Sequence, residues 1–247
     1  MWIVNFSLLL LTTVVSCKSQ IFEPKIILVN VQGTDRAGYA KVIDKIDSLR
    51  PRVVSIDLQF SEYTEYEKDT RLFQALDNCD NLVMISVIED YTGEAEEYVR
   101  FTYGSQPIFL MNAVTGFGNT ILEQDELLTL KRFSTFEKVS GSVEYHFSIR
   151  TAMKFDSLKT IEFVNNNPRI IDIDYAGGNR EFKKLKWTDF AGGKVLEDDI
   201  AGKIVMIGFL GPGDIDKFFT PLNTKKERPD MYGIECLANI VAQVLED

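Results

Sequence analysis

Residues 25–58 read KIILVNVQGTDRAGYAKVIDKIDSLRPRVVSIDL, and this stretch decides the fold. KIILVNV (25–31) is a short apolar run rich in β-branched residues, the pattern of a buried strand. Tyr39, Val42, Ile43, Ile46 and Leu49 then recur at helical spacing, with Lys41, Asp44, Lys45 and Asp47 mostly on the other face. Thr34 or Asp35 can cap that helix, and Pro51 follows its end. RVVSIDL (52–58) is the next strand. One βαβ unit is thus written within 34 residues.

Downstream the pattern repeats. An acidic, Tyr-rich stretch (61–68) is followed by Asp69, placed to cap a helix carrying Leu72, Phe73, Ala75 and Leu76. NLVMISV (81–87) is a third strand. Strand–helix alternation predicts parallel pairing, and near-continuous apolar strands fit a sheet covered on both faces. The expectation is a single α/β domain, with a mostly parallel central sheet and helices on both sides. Further on, 107–114 reads as a strand, with a turn at Gly116 and Gly118. Residues 132–139 read as strand or extended loop, 148–158 as a helix and 165–168 as a turn. A strand (170–175) and a turn (177–179) follow. KIVMIGF (203–209) is a strong strand that runs into LGPGD (210–214), a loop that cannot continue it. A closing helix carries Ile234, Leu237, Ala238, Val241, Val244 and Leu245 on one face.

The composition removes several functions. The 247 residues include 27 Lys and Arg against 37 Asp and Glu, a formal charge of −10. Such a chain is a poor partner for nucleic acid, which is bound mainly through Lys and Arg on phosphate. A single His excludes any two-His zinc motif, and three Cys cannot build a site of four thiolates. No apolar stretch reaches the roughly 18 residues of a spanning helix.

Residues 2–16 (WIVNFSLLLLTTVVS) are apolar and uncharged, of the length of a secretory signal core. They end in Val14-Val15-Ser16-Cys17, which resembles the bacterial lipobox, although no Lys or Arg precedes the core. The expectation is a signal peptide over 1–16, cleavage before Cys17, a lipid on Cys17 as membrane anchor, and an extracytoplasmic domain over 17–247. Cys79 and Cys236 would then remain, either paired in an oxidising compartment or as two separate buried thiols.

In the last third, Lys203-Ile204-Val205-Met206-Ile207-Gly208 is followed by Asp216-Lys217-Phe218-Phe219-Thr220-Pro221-Leu222, then by Tyr232-Gly233-Ile234-Glu235 and Ala238-Asn239. This order resembles the CHASE family of type two, the cyclase/histidine-kinase-associated sensory extracellular domain of bacteria. Phe218 or Phe219 is the matching aromatic, and Cys236 or Leu237 stands where members often carry His. The opening strand, its helix, and Ile56-Asp57-Leu58-Gln59-Phe60 agree with the same pattern. The resemblance implies a sensor outside the cytoplasmic membrane, which in most relatives is followed by membrane helices and a cyclase or kinase output. The sequence stops at Asp247, after the closing helix, so the expectation is a lipid-anchored form or a fragment that acts through a membrane signalling partner.

Parallel α/β sheets bind ligands beyond the carboxyl ends of their strands. Asn30, Gln32, Asp57, Gln59, Ser86, Glu89 and residues 208–216 fall there. Asp57, Asp214 and Asp216, with Thr220 nearby, are the candidate ligand contacts, and local backbone bonding by Asp is the alternative use. No catalytic residue and no metal or cofactor is assigned. His146 reads as a structural residue, and the acidic loop around Tyr63 and Tyr66 as a solvated loop or a partner surface. The function expected is ligand sensing. The alternative is a divalent-metal hydrolase or transferase using the strand-end carboxylates.

Overall fold

The structure, a computed structural model, describes residues 26–246 apart from 94–96, 103, 179 and 226. The expected signal peptide and the lipidation site Cys17 lie outside the described residues. The sheet begins with β1 (Ile26–Asn30), whose register continues through α1 (Arg36–Ser48) into β2 (Val53–Ile56) and through α2 (Tyr66–Asp77) into β3 (Leu82–Thr92). Asp35 caps α1 by accepting from Gly38 N at 3.0 Å. Beyond β3 come β4 (Glu97–Thr102), β5 (Val114–Phe117), β6 (Ile121–Leu122), β7 (Leu130–Ser134), β8 (Phe136–Val139) and β9 (Ser142–Tyr145). Then follow α3 (Phe147–Phe155), α4 (Ser157–Asn166), β10 (Ile170–Asp172), β11 (Lys183–Lys186), α5 (Trp187–Ala191) and α6 (Glu197–Ile200). The chain closes with β12 (Ile204–Gly208), β13 (Lys217–Phe218), β14 (Met231–Tyr232) and α7 (Gly233–Glu246).

The core sheet runs β11-β1-β12-β2-β3, parallel throughout. β3 is long enough to serve two partners. Its first half pairs in parallel with β5, and its second half pairs antiparallel with β4, which leads on to β8 and β9. Side chains of β1, β2 and β12 are buried to both sides, because α1, α2, α5 and α6 cover one face and α3, α4 and α7 the other. α7 alone buries Ile234, Leu237, Ile240, Val241, Val244 and Leu245. Each such side chain is worth about 1.5–3 kcal/mol on burial, so α7 is a principal clamp of its face.

Four local expectations are revised. Asp69 does not cap α2, which starts a turn earlier at Tyr66. Its carboxylate instead accepts from Thr64 N (2.7 Å) and pairs with Arg36, bracing the acidic loop against α1. The run 107–114 is not a strand: Pro107 opens a 3-10 turn over Pro107–Leu110 that buries Phe109, and only from Val114 does the chain join the sheet. Gly116 lies inside β5, where a Cβ would come within 2.7 Å of Phe147 Cα. The helix expected over 148–158 is two helices, because Asp156 leaves the helical conformation and caps α4 through Lys159 N (3.1 Å). Cys79 and Cys236 are free and buried on opposite faces of the sheet, so they remain separate thiols.

Candidate functional site

A cavity of about 80 Å³ opens at the carboxyl ends of β2, β3, β5 and β12, on the α7 side of the sheet. Asp57 leaves β2 directly into it, held by its backbone N–H on Ile207 O of β12 (2.8 Å). Asp216 comes from the loop after β12 and stands at the exposed mouth. Its backbone is left-handed (φ 57°), a conformation that Asp tolerates better than most residues. Its carbonyl accepts from Gly233 N (2.8 Å) at the start of α7. Its carboxylate oxygens lie only 3.1 and 3.3 Å from where a Gly233 Cβ would sit. Glycine at 233 is therefore what lets the carboxylate rest against the positive end of α7.

Among the described residues, neither carboxylate has a side-chain hydrogen bond or a cationic partner. Burial, and secondarily the charge of Asp216, push the Asp57 carboxyl up to about 7. Burial also raises the Asp216 carboxyl. The floor holds His146, only 2 % exposed. Its Nδ1 accepts from Ser148 N (3.2 Å), capping α3, which places the ring proton on Nε2. Nε2 has no partner among the described residues, and burial lowers the imidazole to about 3, so the ring is neutral. Phe117 and Phe133 pack against it with ring centroids at 5.3 and 5.4 Å. Arg132 also borders the cavity, but its charge is taken by Glu123 (Nε–Oε1 2.7 Å). Most other walls are carbon, from residues such as Leu130, Phe133, Phe218 and Ile240.

Asp214 and Thr220 lie elsewhere. Asp214 is ion-paired with Arg228 (2.7 Å) and Lys217 (3.6 Å), and the Arg228 hydrogen bond leads in holding its carboxyl low. Thr220 is buried, its N and Oγ1 bound to the Asp230 carboxylate at 2.9 and 2.6 Å, which pins the loop before Pro221. Asn30 holds the same loop from the other side through Leu210 N (3.2 Å) and O (3.0 Å). Glu235 accepts from Tyr232 N (3.1 Å), and Asn239 donates to Glu235 O (2.9 Å). Among the described residues no group of three or more His, Cys, Asp or Glu is placed to hold a metal ion. No described helix is long and apolar enough to cross a membrane.

A second, wider groove of about 520 Å³ lies on the α2 side, lined by Tyr63, Tyr66, Phe73 and Ile108. The loop over it is tied down by Arg36, whose guanidinium sits 5.2 Å from the Phe109 ring centre.

Fold and cavity together define an α/β domain, its sheet mostly parallel in the core, with a small acidic cavity at its strand ends. Compared with protein families, the chain matches the CHASE2 domain over residues 23–247. It belongs to that family, whose members are sensory domains outside the cytoplasm. No curated protein and no solved structure matches it.

Proposed function

We propose that this chain is the receptor part of an envelope signalling system. It binds a small ligand in the strand-end cavity and passes the event to a membrane partner through α7. No reaction is assigned to it. The carrying observation is the cavity itself: among the described residues, Asp57 and Asp216 converge at the strand ends without a side-chain hydrogen bond or a cationic partner, over the buried ring of His146. Carboxyls raised above their ordinary range and gathered in a cleft mark candidate functional sites. Ligand reach to α7 is direct, since Gly233, Cys236, Leu237 and Ile240 form one wall. Export by residues 1–16 and a lipid on Cys17 complete the proposal, placing residues 17–247 at the outer face of a membrane.

The test is a native mass spectrum of the full chain, extracted from its own membranes in mild detergent. Wild type is expected to retain a small bound molecule that Asp57→Asn lacks, at a melting temperature no lower than wild type. Identical spectra from both proteins would overturn the cavity as the binding site.

A further inference from the structure

The acidic, Tyr-rich loop and the groove beside it take no part in the strand-end cavity. We propose that this groove docks a partner protein through a cationic segment, one carrying Lys or Arg side chains between apolar ones.

Shape comes first. The groove of about 520 Å³ runs between α2 and the 3-10 turn over Pro107–Leu110. From α2 it takes Tyr66, Thr70 and Phe73, which share one helix face. Tyr66 is 86 % exposed and Tyr63 61 %, and Ile108 and Met111 are exposed along the turn. Rigidity comes second. Arg36 binds both the Asp69 carboxylate and the Glu62 carbonyl, and Gln106 donates to Ser61 O (2.6 Å). Thr64 N and Oγ1 donate to the Asp69 carboxylate at 2.7 and 3.2 Å, and the Tyr63 ring packs on Phe109 with centroids at 6.1 Å. Two tyrosines are thus held open to water on a fixed loop. They give up little freedom when covered, and Tyr is a favoured anchor of interfaces.

Charge comes third and decides the occupant. Residues 61–77 carry five acidic side chains against two basic ones. Lys68 is bound by Glu65 (2.7 Å) and Asp35 (3.0 Å), and Arg71 acts on Asp44 of α1. Among the described residues the Glu62 and Glu67 carboxylates, beside Tyr63 and Tyr66, have no ion-pair partner. A second copy presenting the same face would meet like charge. A Lys or Arg side chain instead lays its stem on the tyrosine rings and its head against these carboxylates.

The test puts a photoreactive group in the groove of the full chain. With p-benzoylphenylalanine in place of Tyr66, the chain is irradiated in the membranes of its own organism and the adduct is mapped by peptide mass spectrometry. The expected adduct is one segment of another protein, bearing two or more Lys or Arg. A synthetic peptide of that segment is then titrated against purified full chain by fluorescence anisotropy. Glu62→Gln combined with Glu67→Gln is expected to weaken its binding about fivefold and to flatten its salt dependence. Tyr66→Ser is expected to weaken it about tenfold with the salt dependence kept. All three side chains are exposed, so melting temperatures should match wild type. An adduct to a second copy, to residues 18–25 of this chain, to lipid or to a segment without basic residues would overturn the proposal. So would the absence of any adduct, or peptide binding that neither variant weakens. None of these outcomes changes the bound mass expected in the cavity, so this docking surface and the ligand site fail separately.

Discussion

Asp57 and His146 titrate in opposite senses across one pH range. The Asp57 carboxyl is pushed up from 3.8 to about 7, so between those values the folded chain keeps a proton that the unfolded chain has released. Its contribution therefore falls as pH rises through that window. The His146 imidazole is lowered from 6.5 to about 3, so the unfolded chain takes up a proton that the folded chain refuses. Its contribution falls as pH drops from 6.5 toward 3. Each slope is about 1.4 kcal/mol per pH unit for one proton, and between about 4 and 6.5 they oppose each other. Asp216, raised by burial, adds in the Asp57 sense. Arg132 and Glu123 neutralise one another beside them. Asp57→Asn removes one arm of this balance. Urea unfolding is expected to show stability that declines from pH 6.5 to 4 in the variant but changes little in wild type. Above pH 7 the variant should be the more stable by on the order of 2 kcal/mol, discounted because the carboxylate faces the cavity, a rise of about 4–8 °C in melting temperature. A variant that follows the wild-type pH profile would refute this balance. That Asp57 and Asp216 share one cavity was legible because both fall at the carboxyl ends of parallel strands, where such sheets open a crevice. His146 was not. Nothing around it in the sequence says that segments 130–146 and 233–240 close on each other, and a lone His beside a helix start reads as a structural residue. It is a cap, through Nδ1, and Nε2 is the half that local sequence cannot show.

At the level of elements, the cavity depends on how closely α3 approaches β5. A Cβ at Gly116 would meet Phe147 Cα at 2.7 Å and N at 2.9 Å, both backbone atoms that cannot swing aside. Gly116→Ala should therefore force α3 away from the sheet. It would strain the Phe117–His146 bridge and the buried Ser55–Thr151 hydrogen bond (2.8 Å) that joins β2 to α3. A loss of about 1–3 kcal/mol is expected from such overpacking, measured as a lower urea midpoint. An unchanged midpoint would show that α3 yields freely. Asp156→Ala tests the adjoining break. Losing the α4 cap should cost about 1 kcal/mol and leave His146 resonances in place, since α3 is capped separately at its other end. The contrast explains what could be read in advance. β1, β2 and α1 follow from period and caps alone and stand within two residues of their expected limits, whereas β3 starts where expected but runs five residues further, to Thr92. The 107–114 segment did not, because its apolar residues are shared between a 3-10 turn that buries Phe109 and the start of β5. Apolar runs of that length do not distinguish the two uses.

Across the whole molecule, α7 connects the two ends of the sheet. Its first turn touches the carboxyl edge, where Gly208 of β12 packs on Ile234 and Asp216 rests against Gly233. Its last residue, Glu246, is bound by Arg180, which lies three positions before β11 (Nε–Oε1 3.3 Å). β11 runs parallel to β1 and starts at the same edge, since Lys183 pairs with Ile27. The described chain thus enters the sheet and leaves α7 at the edge opposite the cavity, about 21 Å of helix away. On the proposed function, a ligand in the cavity would press directly on the first turn of α7 and reach the opposite edge as a displacement of one packed rod. Cys17 precedes Ile26 by eight intervening residues, nine steps with a reach of at most about 32 Å. On the proposal that Cys17 is acylated, the entry edge is expected to face the bilayer and the cavity to face away from it. Two measurements on vesicle-reconstituted full chain check this. The mature N-terminus is expected to be acylated Cys17, and an unprocessed Met1 would overturn the anchor. A fluorophore on Arg52→Cys, exposed just before β2, is expected to be quenched by a head-group spin label, whereas one on Thr120→Cys, exposed at the cavity mouth, should be quenched several-fold less. Cys79 and Cys236 should not compete for the label, because both are buried and burial holds the Cys79 thiol up at about 12 and raises that of Cys236. Equal quenching at both positions, or the reverse order, would show that the ligand-binding edge does not face outward and that α7 does not run from solvent toward membrane.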